Sequence, residues 1–406
     1  MTMQHAAITK IPAIRAIGVH CGLKESGNSD LALILADQPC RATAVFTRNQ
    51  FKAAPLLYDQ ALLTRTQTLQ AVIINAGNAN GLTGQQGIKD AAKMAQLTES
   101  ACNLPPDSAF VMSTGVLGHH LPMDKIKVGI QQAHEQILTD AGRTGQQVAE
   151  AILTTDLVTK EAYLETEIGG QTVRLGGMAK GSGMIHPNMG TMLAVVTTDA
   201  NVSNAALQAA LQQATDRSFN RVTIDGDTST NDTLLILASG QSKAPLIEYV
   251  NQPELEPFVS ALTELCISLA KAVARDGEGA TKLLEITVQG AHSEAKALMA
   301  AKAVAHSPLV KTAMFGNDPN WGRILAAVGY SGITVEPDYT SLSIGPYQLV
   351  RAGEPTHFDA IAVHHWLENQ KEVSIVVDLD HGLSSATVWT CDYSYKYIEI
   401  NAEYHT

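Results

Sequence analysis

Charge is scarce in this chain: only 17% of its 406 residues are charged, and lysine and arginine nowhere gather into a run. Phosphate binding needs clustered cationic side chains, so a formal net charge of −12 argues against nucleic acid as a partner. A local pocket can oppose that global sign, which keeps small acidic molecules open as ligands. Cysteine is sparse as well. Cys21, Cys40, Cys102, Cys266 and Cys391 are scattered, odd in number and never spaced as metal ligands, so reduced, buried thiols of a cytoplasmic protein are expected, with no metal. No apolar run reaches eighteen residues, and residues 1–15 lack the apolar segment and small-residue cleavage site of a secretory signal, so no membrane association is expected. A Walker lysine loop, a strand-borne G-x-G-x-x-G turn, an internal repeat, a low-complexity tract and a long linker are also missing.

What is present is an apolar fraction of 45% on a chain long enough for two or more domains with substantial cores. Short β-branched runs at 31–35, 43–46, 70–75 and 109–113 predict strands, and apolar residues at helical spacing predict helices over 89–102 and 123–138. A turn-rich hairpin is expected around Ile168-Gly169-Gly170-Gln171. Helices follow over 204–213 and 253–272, and strands over 283–288, 342–344, 373–379 and 385–390. The class is mixed α/β.

The most informative stretch is Lys180-Gly181-Ser182-Gly183-Met184-Ile185-His186-Pro187-Asn188-Met189-Gly190-Thr191. Glycine before a β-branched hydroxyl offers little steric barrier to the distortion that an N-to-O acyl shift requires. Hydrolysis of the resulting ester between Gly190 and Thr191 frees Thr191 as a new N-terminus. Its α-amine, with a reference pKa near about 7.7–8.0, can then serve as base to its own hydroxyl. The dipeptide alone fits equally a glycine-rich turn leading into an apolar strand over 192–196, and most Gly-Thr pairs never cleave.

The whole string resembles the Lys-Gly-Ser-Gly-Met-Ile-Ala-Pro-Asn-Met-Ala-Thr signature of the ornithine acetyltransferase family, the arginine biosynthesis bifunctional proteins or glutamate N-acetyltransferases. Two positions depart from it: Gly190 and His186 each stand where the family has alanine. In that family the final threonine is the self-processing nucleophile, which implies Thr191 here. Further motifs carry the resemblance from Ala44-Val45-Phe46-Thr47 to the C-terminal residue. Ser113-Thr114-Gly115-Val116-Leu117-Gly118, which by itself reads as a strand running into a turn, is similar to the family's Ser-Thr-Gly-Val-Ile-Gly and implies an oxyanion hole at Thr114 and Gly115. Lys180, unremarkable alone, aligns with a substrate-contacting lysine, and Thr154-Thr155-Asp156 with a segment whose threonine binds substrate, taken here as Thr154. Asp276-Gly277-Glu278-Gly279-Ala280-Thr281-Lys282 places a carboxylate between two glycines, where it can pair with a substrate ammonium. The resemblance assigns Glu278 that contact.

The C-terminal Tyr397-Ile398-Glu399-Ile400-Asn401-Ala402-Glu403-Tyr404-His405-Thr406 would otherwise be a frayed tail. The resemblance implies substrate contacts from Asn401 and Thr406, and hence an ordered, buried tail. Asn75-Ala76-Gly77-Asn78-Ala79-Asn80, Asp225-Gly226-Asp227-Thr228-Ser229-Thr230-Asn231-Asp232 and Phe315-Gly316-Asn317-Asp318-Pro319-Asn320-Trp321-Gly322-Arg323 also resemble family signatures. The Asp-Gly-Asp run lacks the closing glutamate of a calcium loop, so polar turns or side-chain networks are expected there. His119 and His120 read as exposed turn residues.

Membership implies a layered, mixed α/β architecture of the self-processing N-terminal-nucleophile acyltransferase and aminopeptidase type, two interwoven chains after cleavage. Residues 1–190 would form the α chain and 191–406 the β chain, assembled as a heterotetramer of two of each. The implied reaction moves acetyl from N2-acetyl-L-ornithine to L-glutamate in arginine biosynthesis, with no bound cofactor. Some members also take acetyl-CoA as donor. Two alternatives remain at this point: an N-terminal-nucleophile aminopeptidase, and an uncleaved, non-catalytic amino-acid-binding protein.

Overall fold

The computed structural model describes residues 6–139, 142, 145–186 and 192–403. Of the candidate residues, Gly190, Thr191 and Thr406 lie outside the described residues. The chain divides into two compact units, one from the residues up to 220 together with 227–273, the other from 221–226 together with 274–405.

The first unit is built on eight strands: β1 (Ile14–Val19), β2 (Leu31–Phe46), β3 (Thr68–Asn78), β4 (Ala109–Val116), β5 (Lys160–Ile168), β6 (Gln171–Lys180), β7 (Leu193–Thr198) and β8 (Thr233–Ala238). They run in the order β4-β3-β2-β8-β7-β6-β5, with β1 paired to β2. The expected strands at 31–35 and 43–46 are one sixteen-residue strand. Exposed Asp37, Gln38 and Pro39 interrupt its apolar pattern where its register against β3 shifts, and past that irregularity the strand pairs with β8 instead of β1. The central strands read as continuous apolar runs because both faces are covered. Ala71 and Ile73 of β3 face one core with Met94, Ile126 and Ile130, whereas Val72 and Ile74 face another with Phe110, Val195 and Leu235.

Four helices, α1 (Ala54–Arg65), α2 (Gly84–Cys102), α3 (Met123–Ile137) and α4 (Gln146–Ala151), lie in the first half of this unit. Two more, α5 (Asn204–Arg217) and α6 (Leu255–Arg275), follow β7 and β8. By length and composition α6 could cross a membrane, but 67% of that stretch is buried inside the protein, as in a core helix. It packs on β6 at Gly177, where an added Cβ would stand 2.9 Å from Leu269 Cδ1. The hairpin between β5 and β6 turns on Gly169 and Gly170, both at positive φ, as a two-residue primed turn requires.

The second unit carries β9 (Leu283–Ala291), β10 (Ser341–Ile344), β11 (Tyr347–Arg351), β12 (Glu354–Pro355), β13 (Glu372–Asp378) and β14 (Ser384–Cys391) in the order β12-β11-β10-β13-β9-β14. Only β13 and β9 are parallel. Along β13 burial alternates, so Val373, Ile375 and Val377 point to a core shared with α7 (Glu294–His306), α8 (Pro308–Phe315), α9 (Trp321–Gly329) and α10 (Ala360–Glu368). The last helix is α11 (Tyr395–Glu403). Contrary to the buried tail expected from sequence, α11 buries none of its residues, and Asn401 is exposed.

Compactness and the expected cut divide the chain differently. β7 starts two residues after Thr191 yet pairs with β6 before it, and β8 pairs with β2. All five cysteines are unpaired, with Cys40, Cys266 and Cys391 buried. Ile236 lies fully buried in β8 between β2 and β7. Ile236→Ala is expected to lose about 2–5 kcal/mol in urea unfolding; a loss below about 0.5 kcal/mol would contradict a tightly packed sheet centre.

Candidate active site

The site of the first unit forms where strands run out and side-chain amides take over from the ladder. β3 and β4 are parallel, and their register slips at Gly77 and Asn78 opposite Thr114, Gly115 and Val116. Gly115 has φ +127°, and a Cβ there would stand 2.3 Å from the Gly77 carbonyl carbon, so this approach admits only glycine. Asparagines hold the strand ends. Asn75 Oδ1 accepts from Ser113 Oγ at 2.6 Å, and Asn231 Nδ2 donates to the carbonyls of Ser113 at 2.8 Å and Ala79 at 2.7 Å. Asn78 Oδ1 accepts the Asn80 N–H at 2.8 Å. The polar stretches at 75–80 and 225–232, read as networks from sequence, thus meet at the end of β4.

Lys180, at the end of β6, points its ammonium into this corner. Nζ donates to Thr154 Oγ1 at 2.8 Å and Thr114 Oγ1 at 3.3 Å. Accepting from an ammonium leaves the Thr114 hydroxyl hydrogen free to be donated, which suits an oxyanion. The two neighbouring threonines separate, because Thr155 Oγ1 instead pairs with Ser182 Oγ at 2.7 Å.

Two buried carboxyls flank this ammonium and behave oppositely. Asp156 binds Lys160 Nζ at 2.7 Å, accepts the Gly181 N–H at 2.6 Å and lies 4.0 Å from Lys180 Nζ. Burial pushes its pKa up, but Lys180, Lys160 and these hydrogen bonds overcome that and hold it well below the usual carboxylate range. Asp232, just before β8, is fully enclosed with Oδ2 unpartnered. Burial pushes its pKa well up, and Lys180, the Thr47 side chain and the Met192 N–H offset only part of that. One carboxyl is therefore ionised beside Lys180 while the other is held towards its neutral form.

Glu278 and Asn401 belong to the second unit. Glu278 is buried between Gly277 and Gly279, and its Oε2 accepts from Asn401 Nδ2 at 2.8 Å. The structure thus groups Thr114, Gly115, Thr154 and Lys180 in one unit and Glu278 with Asn401 in the other. His186 contributes a carbonyl, which accepts from Thr228 Oγ1 at 2.9 Å. Among the described residues no group of three or more His, Cys, Asp or Glu could hold a metal ion.

A profile described as the ArgJ family matches residues 15–406. The chain belongs to the ArgJ family. The arginine biosynthesis bifunctional protein ArgJ of Oceanobacillus iheyensis is 47% identical over 405 residues, covering 100% of this chain and 97% of that one. The crystal structure of arginine biosynthesis bifunctional protein argJ from Bacillus halodurans is 44% identical with a TM-score of 0.50, covering 52% of this chain and 98% of that one. A Mycobacterium tuberculosis ornithine acetyltransferase, solved in complex with ornithine, is 37% identical over 47% of this chain and 99% of that one, at a TM-score of 0.40.

Sequence reasoning about this ArgJ-family chain missed Asp232 and the pairing of Asp156 with two lysines. A signal for Asp232 was present, since a carboxylate one residue removed from the wholly apolar run 234–238 lies at the mouth of a buried strand. Its pH signature is testable. Above about pH 3.9 the unfolded chain releases the Asp232 proton while the folded chain retains it, so this group costs stability as pH rises towards its folded pKa. Asp156 has the opposite sign: it stabilises above the ordinary carboxylate pKa, and that contribution fades as pH falls through its depressed one. Asp232→Asn is therefore expected to raise the melting temperature at pH 7 and to leave it unchanged near pH 3.5; no gain at pH 7 would mean that the carboxyl ionises freely.

Proposed function

We propose that this chain transfers the acetyl group of N2-acetyl-L-ornithine to L-glutamate through an acetyl-enzyme on Thr191. Membership of the ArgJ family makes acetyl transfer in arginine biosynthesis its activity, and the chain is an enzyme. The observation that carries the residue-level reading is the Lys180 ammonium set against the hydroxyls of Thr154 and Thr114 beside the Gly115 turn. Cleavage between Gly190 and Thr191 frees an α-amine that takes the proton of the Thr191 hydroxyl as this oxygen attacks the acetyl carbonyl. Thr114 and Gly115 stabilise the oxyanion, and collapse expels ornithine with the proton returned to its amine. The glutamate amine then attacks the threonine ester, giving N-acetylglutamate and free Thr191, in ping-pong order. Thr154, Lys180, Glu278, Asn401 and Thr406 orient the amino-acid moieties.

The cut is supported by the half-length of the Bacillus halodurans chain, whose match spans 52% of this one, close to the share of residues 191–406. Pairing of β6 with β7 keeps the two pieces, 1–190 and 191–406, in one sheet. We assign them the heterotetrameric assembly of two α and two β chains and a cytoplasmic location, with no cofactor and with acetyl-CoA as a second donor to be assayed. Intact-mass spectra should show two fragments, the second beginning at Thr191, and Thr191→Ala should stay whole; a full-length species from both would remove the base and overturn the mechanism. In the processed enzyme, Thr114→Ala should lower kcat about 10²–10³-fold, as loss of one oxyanion donor does, and a change under about threefold would remove Thr114 from that role.

A further inference from the structure

Glu278 is held by a clasp that no motif announced. Asp392, which follows β14 and is fully buried, spends both carboxylate oxygens on the loop that carries Glu278. Oδ1 accepts the N–H groups of Thr281 at 2.7 Å and Lys282 at 2.9 Å, and Oδ2 accepts the Thr281 hydroxyl. Two residues on, Ser394 Oγ donates to the Gly279 carbonyl at 2.5 Å. The glycines on either side of Glu278 are pressed onto the same segment. A Cβ on Gly277 would stand 2.8 Å from Cys391 Sγ, and one on Gly279, at φ +70°, would stand 2.6 Å from the Tyr397 nitrogen. Behind the clasp the fully buried Lys311 fixes the preceding backbone, donating to Thr390 Oγ1 at 2.7 Å and to the Cys391 carbonyl, with its ammonium 4.4 Å from the Tyr393 ring centroid.

We propose that Asp392 is the positioning residue of the ammonium-recognition site: it shapes the loop 276–282 so that the Glu278 carboxylate is aimed at the substrate amine. The inference rests on the reading of Glu278 as a substrate contact. A loop bound through two N–H groups and a hydroxyl to one carboxylate is held firmly, because charge-assisted bonds of this kind are about twice as strong as neutral ones. Glu278 depends on this more than most carboxylates, since the glycines beside it supply no side chains of their own to brace the turn. Asp392 acts on binding, through Glu278, and takes no part in bond making.

The test is a double-mutant cycle on ornithine binding, measured by calorimetry on the processed enzyme with Glu278→Gln, Asp392→Asn and the two combined. Each single change should weaken ornithine about tenfold. The double variant should bind no more weakly than Glu278→Gln alone, because the two act on one contact. In turnover, Asp392→Asn should raise KM and leave kcat within about twofold. Multiplying losses in the double variant, unaltered binding in Asp392→Asn, or an equal fall in kcat would overturn the proposal while leaving Glu278 in place. Unaltered binding in Glu278→Gln would overturn the reading of Glu278 and the proposal with it. Should Asp392→Asn fail to fold, Thr281→Val removes only the hydroxyl contact and must give the same non-additive loss.

Discussion

Asp156 is the point on which the candidate site turns. A fully buried carboxylate survives only when its charge is matched and its lone pairs are filled, and here two ammoniums and two backbone N–H groups do that. These partners come from different pieces of chain: Lys160 begins β5, Lys180 ends β6, and Thr154 belongs to the turn before them. One carboxylate thereby fixes the ends of a hairpin and the loop that enters it. Lys180 is consequently no free surface lysine, and its remaining donors can be directed at Thr154 and Thr114. Removal of one partner from such a group typically costs about 3–5 kcal/mol, so the site's electrostatics and the hairpin's stability are one property.

The two units meet the demands of precision differently. In the first, a sheet covered on both faces ends in polar groups, and the asparagines at 75, 78 and 231 extend the order of the ladder into the irregular backbone beyond it. Rigidity is inherited from the sheet. In the second, the sheet presents one apolar face, and the loop bearing Glu278 lies outside it. There Asp392 and Ser394 hold the loop, and Asn401 of α11 bonds Glu278.

Much of this was legible in the chain. The strands 70–75 and 109–113, the helix 123–138 and the hairpin at Gly169-Gly170 lie within or beside their observed elements, because buried strands and amphipathic helices write their periods openly. Less was legible where contrast was low. α7 buries mostly alanines, whose small side chains give a faint apolar period, although Ser293 caps its start. β1 and β8 are only six residues each, and Arg15 interrupts the apolar pattern of β1. At the site, residue identity signalled Thr114, Lys180 and Glu278 through resemblance, whereas their supports also work through distant contacts, Asp156 with Gly181 across 25 positions and Asp392 with Thr281 across 111. Local pattern carries no trace of such pairs.

The topology also bears on the proposed cut. β6 and β7 are antiparallel neighbours in register from Leu175 with Thr198 to Lys180 with Leu193, and β7 is further paired to β8, which is paired to β2. Breaking the connection between β6 and β7 would free a terminus without freeing a strand. The fragment from 191 onward would contribute β7 and β8 to the middle of the sheet, with β2 on one side and β6 on the other. Pulling the pieces apart would therefore expose two ladders of backbone hydrogen bonds, β6 with β7 and β8 with β2, and the apolar faces of both strands. Most of the cost of cutting a loop between paired strands falls on the unfolded state, where the chains are no longer tethered. The sheet order accordingly lets a reactive terminus be created late, in a molecule already folded, at little expense to the architecture that must position it.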